Sequence, residues 1–435
     1  MTLEQETTDF TRKQSSAAGE TMLFALFLTS FLLSLLKSLW NGLLAIQAGK
    51  ASVFIPALSD WLINYEAGFV RRGLVGSALI RMMRSTGLTP AISVMILCSL
   101  SFALVVLIAF RAAADFPKWA LLSTPLLAFR LNTDIYLFKD SLSLLLFALC
   151  LQLLRAPTKT SRNLGLWSLI GVVGTLSHEV FFLITVPLSW LLMWQQDRQL
   201  RGAPQRRRFF DGSLRHSFLL LAPVVALIAI YLHRGTTPQA LAIENSWRQA
   251  AGAAPVAKLT EWTQIWWLGF DTDDGFRATL NSLATAHHGI PYWLYAVTML
   301  LLAIAAINGL WKQKQERTLF PWLCALQLMA LSPVILGALD TGRWVHLIVF
   351  TSFLATCLYR QSAADMIPAQ WAKIPRRIRL PLLITPAILF LWGMPIGQTV
   401  NSYMYSSLGN LLARLNEAYI LARLAGLPHP ASLLP

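Results

Sequence analysis

Charge is scarce in this sequence. Only 13% of its 435 residues are charged and 55% are hydrophobic, whereas soluble domains carry about 25% charged residues. One water-soluble core cannot hide that much apolar surface, so a soluble globular domain is excluded. The strict period-2 alternation of barrel strands is also missing, which leaves helices as the spanning element. Paired cysteines are lacking as well. Cys98, Cys150, Cys324 and Cys357 lie inside apolar runs with neither metal nor disulfide spacing, and read as buried structural thiols. No internal repeat or low-complexity linker divides the chain, so it reads as one domain.

What recurs instead is apolar sequence approaching the ~20 residues that cross hydrocarbon. Such segments fall near 22–44, 91–110, 119–133, 137–154, 165–176, 180–194, 217–233, 292–311, 319–338, 344–359 and 380–397. The expected fold is therefore an all-α polytopic membrane helical bundle of about eleven transmembrane helices. A tail over 1–21 would be cytoplasmic and the helical domain would cover 22–397, with external loops at 45–90 and 234–291. Residues 398–435 would form an external extension. The run from Met22 to Leu44 is too long for a signal-peptide core and reads as an uncleaved first helix.

The net charge of +15 would point to nucleic acid in a soluble protein. Here the cations cluster between apolar runs, as positive-inside loops do, and no nucleic-acid module pattern is present. The strongest cluster is Arg198, Arg201, Arg206, Arg207, Arg208 and Arg215. Arg155, Lys159 and Arg162 form a second, Lys312, Lys314 and Arg317 a third, and Lys373, Arg376, Arg377 and Arg379 a fourth. Placing all four in the cytoplasm requires 166–194 to cross twice, with two short helices meeting near Ser177, His178 and Glu179. It also requires Gly73 to Met83 to lie on the outer surface as an interfacial helix rather than to span.

With this topology the ionisable residues outside the basic clusters gather at the outer surface. Asp60, Glu66, Arg71 and Arg72 fall in the first outer loop, Asp134, Lys139 and Asp140 at the next turn, His178 and Glu179 at the third, and Asp340 and Arg343 before Trp344. Snorkelling or loop capping accounts for any one pair taken alone. Their convergence on one face marks a site. Asp140 and Glu179 at helix N-termini are also favoured by the dipole, a structural role sufficient in itself. No second histidine follows His178 at helical spacing, so no metal centre is expected, although a carboxylate-bound divalent ion with a pyrophosphate stays open.

The most distinctive stretch is Asn64-Tyr65-Glu66-Ala67-Gly68-Phe69-Val70-Arg71-Arg72-Gly73-Leu74-Val75-Gly76. Adjacent arginines between glycines suit a phosphate, since guanidinium offers forked donors and glycine allows close backbone approach. The competing reading is a glycine-hinged interfacial helix whose arginines touch lipid headgroups. Trp61, Trp247, Trp262, Trp266 and Trp267 are either interfacial anchors or stacking platforms for sugar rings.

The order of these features resembles the GT-C superfamily of polyprenyl-phosphate-dependent membrane glycosyltransferases. A first helix is followed by a long outer loop with an early acidic residue, interfacial helices, hairpins with charged outer tips, and a late outer loop. The resemblance is architectural and covers most of the chain. It implies a catalytic base in the first outer loop, which is Asp60 by position with Glu66 as rival, and a lipid phosphate held by Arg71, Arg72 or Arg343. The usual adjacent acidic pair is replaced here by Asp60-Trp61. The implied activity is transfer of a sugar from a polyprenyl-phosphate donor to a glycan or lipid acceptor, without a cofactor, in a bacterial-type inner membrane. An O-antigen-type polysaccharide polymerase or ligase is the alternative, with arginines carrying the catalysis. A transporter or flippase of an anionic lipid or solute is a third reading, which predicts charges at the bilayer midplane.

Overall fold

The computed structural model describes residues 56–112, 139–155, 161–201, 208–259 and 264–269, and single helical positions between 326 and 355. The described chain is all-helical, without strands. Its helices are α1 (Pro56–Leu62), α2 (Gly73–Thr86), α3 (Pro90–Ala112), α4 (Asp140–Arg155), α5 (Ser161–Ser177), α6 (Glu179–Arg201), α7 (Arg208–Leu232) and α8 (Thr237–Ala250). A 3-10 turn follows at Trp266–Gly269.

Helices α4 to α7 form the body. Each packs on its chain neighbour, and α5 also packs on α7 and α4 on α6. The tightest connection joins α5 to α6 through His178 alone. There the backbone N–H of His178 donates to Gly174 O at 2.9 Å and that of Phe181 to His178 O at 2.9 Å, so the reversal keeps its amides bonded. Because successive helices run antiparallel, the start of α4, the α5–α6 junction and the end of α7 share one end of the bundle. Arg155, Arg162, Arg198, Arg201 and Arg208 fall at the other ends of the same helices.

Across the first end lies a cap made of α1, α2, α8 and the 3-10 turn. Its core is built from Trp61, Ile63, Val70, Leu79, Ile80, Ile243, Trp247 and Leu268. Helix α2 has one buried face, with Gly73, Gly76, Leu79, Ile80 and Met83, while Arg81, Met82 and Arg84 are exposed. At 14 residues it is ~21 Å long, too short to cross hydrocarbon upright. Gly76 is placed where no side chain fits, since a Cβ there would come within 2.0 Å of Ile63 O.

The 234–291 segment, expected as a loop, contains a helix. Thr236 caps α8 by accepting from the Gln239 N–H, Pro238 sits in its first turn, and Ala240, Ile243, Glu244 and Trp247 make a buried stripe. That spacing is helical, but it sits in a segment too polar overall to stand out beside the apolar runs. Two further expectations are corrected here. Trp61 and Trp247 are neither interfacial anchors nor sugar platforms: both are fully buried, and the Trp247 indole N–H donates to Leu62 O.

Among the described helices one, over Ile92–Ala109, is long and apolar enough to cross a membrane by itself. Asp140–Leu154 and Glu179–Met193 are apolar but shorter, and α7 bends by 102° into α8. The expected spans at 22–44, 119–133, 292–311 and 380–397 lie outside the described residues, as do Cys324 and Cys357. Large apolar side chains nevertheless face outward in helical stripes. Ile96, Leu100, Leu104 and Leu107 do so on α3, Leu166 and Leu169 on α5, and Leu221, Val225, Ile228 and Leu232 on α7.

The close approach at Gly76 makes a prediction. Gly76→Ala should lower stability by about 1–3 kcal/mol through overpacking against backbone that cannot yield. Gly165→Ala, where nothing lies within 4 Å, should be neutral or stabilising by up to about 1 kcal/mol. Thermal unfolding of the two purified variants checks the contrast.

Candidate functional site

Where the cap meets the bundle, three distant parts of the sequence meet around Arg72. Its Nε donates to Glu179 Oε2 at 2.8 Å and Oε1 at 3.0 Å, and its Nη2 also reaches Glu179 Oε1. The Nη1 donates to Asp60 Oδ1 at 3.1 Å and to Gln264 Oε1 at 3.3 Å. Asp60 and Glu179 come from the last turn of α1 and the first residue of α6. A single guanidinium thus bridges two carboxylates, using the planar fork that lysine lacks.

The Arg72 backbone is equally unusual. It has φ 62° and ψ 10°, the single non-glycine residue with positive φ among the described residues. The left-handed region costs an L-residue ~1–2 kcal/mol, and it persists where surrounding contacts over-determine it. Lys139 supplies one of those contacts. Fully buried, it donates through Nζ to Arg72 O at 2.9 Å and to Ser177 O at 3.4 Å. It thereby ties the start of α2 to the tip of the α5–α6 hairpin.

His178 lies on the other side of Asp60, with Nε2 3.9 Å from Asp60 Oδ2. Its Nδ1 accepts the Val180 N–H at 3.2 Å, which assigns the imidazole proton to Nε2, the nitrogen facing the carboxylate. The separation exceeds a direct hydrogen bond. Burial acts to lower the Arg72 pKa, but the charges of Glu179 and then Asp60 outweigh it and hold it above its ordinary value. Arg72, partly exposed, and Lys139, fully buried, face the carboxylates of Asp60 and Glu179.

The sequence-predicted residues divide accordingly. Asp60, Arg72, Lys139, His178 and Glu179 come together. Asp140 is buried beside Lys139 in the chain, at the first position of α4. Glu66 turns away, pairing with Arg84 at 3.1 Å on the exposed face of α2. Asp134, Asp340 and Arg343 lie outside the described residues.

The motif itself needs reinterpretation. Its glycines serve packing rather than a phosphate: a Cβ on Gly73 would strike the Tyr65 ring at 2.1 Å. Asn64 organises the preceding turn, accepting the Glu66 N–H at 2.9 Å and donating to Leu62 O and Ser246 Oγ. Arg72, expected to reach for phosphate, is committed to carboxylates. Gln264, which sequence reasoning missed, completes its coordination while its backbone N–H donates to Ser59 Oγ at 2.8 Å. A lone glutamine beyond a polar segment offered no signal.

Chemically, the arrangement holds one carboxylate, Asp60, against an imidazole N–H. A guanidinium bridges the two carboxylates. Replacing Lys139 by Met should strip two buried carbonyls of their donor and unbalance the carboxylates. The loss should be on the order of 3 kcal/mol, read as a fall in melting temperature and as faster amide exchange at Arg72 and Gly73. Comparison of the chain with protein-family models, with curated proteins and with solved structures finds no match.

Proposed function

We propose that the chain is an integral membrane glycosyltransferase crossing the bilayer about eleven times, with its N-terminus in the cytoplasm of a bacterial-type cell. It transfers a sugar from a polyprenyl-phosphate donor to a glycan or lipid acceptor at the outer face. The observation that carries this reading is the meeting of Asp60, from the first polar segment, with His178 and Glu179 at the tip of a helical hairpin. Transfer to a hydroxyl needs a base for the acceptor proton and cations for the departing phosphate. Asp60 is the base in this reading, His178 orients the acceptor hydroxyl beside it, and Arg72 holds the carboxylate in place.

Two features support the membrane setting. Apolar side chains face outward in stripes on α3, α5 and α7, and Arg155, Arg162, Arg198, Arg201 and Arg208 sit at the bundle end opposite the Asp60 cluster. The location of the cluster at helix ends disfavours transport, which uses charges near the midplane. The polymerase or ligase reading leans on free arginines; Arg72 is held by two carboxylates, which leaves Arg71 to carry it.

The test is transfer from radiolabelled polyprenyl-phosphate sugars to endogenous acceptors by purified protein. Asp60→Asn should lower transfer by at least about a hundredfold, the usual scale of a lost general base, with a melting temperature showing that it folds. Glu66→Gln should leave the rate within about twofold, because Glu66 pairs only at the exposed surface. Full activity of a folded Asp60→Asn protein refutes the reading.

A further inference from the structure

Three groups around Asp60 keep solvent access. The Asp60 side chain itself has none, whereas those of Arg72 and Glu179 are 16% and 22% exposed and Gln264 is half-buried. A ligand approaching Asp60 therefore meets these three first. Arg72 offers it little, because four of its five N–H donors already face protein oxygens. The open hydrogen-bonding capacity belongs to two of its partners, Gln264 and Glu179.

Gln264 is fixed from both ends. Its backbone N–H donates to Ser59 Oγ at 2.8 Å, next to Asp60 in the chain, and its side chain meets Arg72 Nη1 at 3.3 Å. A guanidinium carries only donors, so the amide turns its Oε1 toward Arg72. That orientation leaves Nε2, with its two N–H donors, unpartnered among the described residues. Across the same guanidinium Glu179 has the complementary surplus. A carboxylate has about four lone-pair sites, and Arg72 fills two on Oε1 and one on Oε2. His178 Nδ1, 3.9 Å from Oε2, is itself an acceptor and does not fill the fourth.

An open donor and an open acceptor on either side of one guanidinium match neighbouring hydroxyls, each of which both donates and accepts. They do not match an anion, since Arg72 is already engaged by two carboxylates. Trp266 and Trp267 follow on the 3-10 turn, both partly exposed, with ring centroids 4.8 Å apart in an edge contact. Their amphipathic surface is of the kind that packs against the apolar face of a sugar. We infer that Gln264 is a substrate-contacting residue, its side-chain amide donating to one hydroxyl of a sugar on the acceptor while Glu179 Oε2 accepts from the neighbouring hydroxyl. The pair selects a neutral diol edge, and so decides which acceptor hydroxyl comes to Asp60. Its role in catalysis rests on the transferase reading. Its binding of a sugar does not.

The test is saturation-transfer NMR on full-length protein in detergent, with methyl glucoside, methyl galactoside and methyl N-acetylglucosaminide as probes. Saturable binding of at least one is expected, undisturbed by an equal concentration of inorganic phosphate. Gln264→Glu separates contact from support, because its carboxylate still accepts from Arg72 while both amide donors are gone. It should weaken glycoside binding by about tenfold, the scale of a lost hydrogen bond, in a protein that still melts cooperatively. Gln264→Leu should weaken it as much. If the Glu variant does not fold, amide exchange in the unaltered protein takes its place, and the glycoside should slow exchange across residues 264–268. Full binding by Gln264→Glu would make the residue a mere support for Arg72 and overturns the inference. Competition by phosphate, protection confined to other segments, or binding of none of the three probes overturns it too. The transfer assay stands apart: full activity of Asp60→Asn would refute the reaction and leave the glycoside contact in place.

Discussion

Everything at this end of the bundle depends on one guanidinium satisfying two carboxylates from opposite sides of a layer boundary. Asp60 belongs to the cap and Glu179 to the helical hairpin, and neither has the other's neighbourhood in sequence. Buried charge is tolerated only when paired and hydrogen-bonded. Placing Arg72 between them therefore does more than hold two side chains. It fixes the cap on the bundle, forces the left-handed turn at the start of α2, and obliges the Arg72 carbonyl to find a donor, which Lys139 provides. Gln264 and Ser59 then fasten the 3-10 region over α1. The same commitment withdraws Arg72 from ligand binding and leaves Arg71 as the arginine with an open N–H.

The helical class was readable from composition because so little charge and so much apolar sequence leave few alternatives. The hairpin at His178 was readable from charge bookkeeping, since basic clusters on both flanks demand an even number of crossings. The convergence of Asp60, Lys139, His178 and Glu179 followed from placing each polar turn on one side. Their pairing did not, because sequence alone cannot tell a guanidinium facing a phosphate from one facing a carboxylate. Both uses want the same fork and the same buried setting.

The remaining differences have a common cause. Trp61, Trp247, Gly73 and Gly76 looked like functional residues because aromatics and glycines near arginines suit sugars and phosphates. They are instead the packing surfaces of a small cap, of which the sequence showed the interfacial helix from Gly73 but not helix α8. Helix α8 shows the point: Ala240, Ile243, Glu244 and Trp247 keep helical spacing, yet two of its buried residues, Glu244 and Ser246, are polar. Glu244 is satisfied within the helix by Arg248 at 3.0 Å, a local pairing that reads in sequence as solvated surface.

The central claim is that Arg72 and Glu179 are one coupled, partly buried unit rather than two nearby charges. A double-mutant cycle tests it most directly, with Arg72→Gln, Glu179→Gln and the paired variant compared by reversible unfolding in detergent. Each single change should be costly and the pair should cost much less than their sum, giving a coupling of about 1–3 kcal/mol. Additive effects within about 0.5 kcal/mol would contradict the claim and leave the two residues as independent features of the surface.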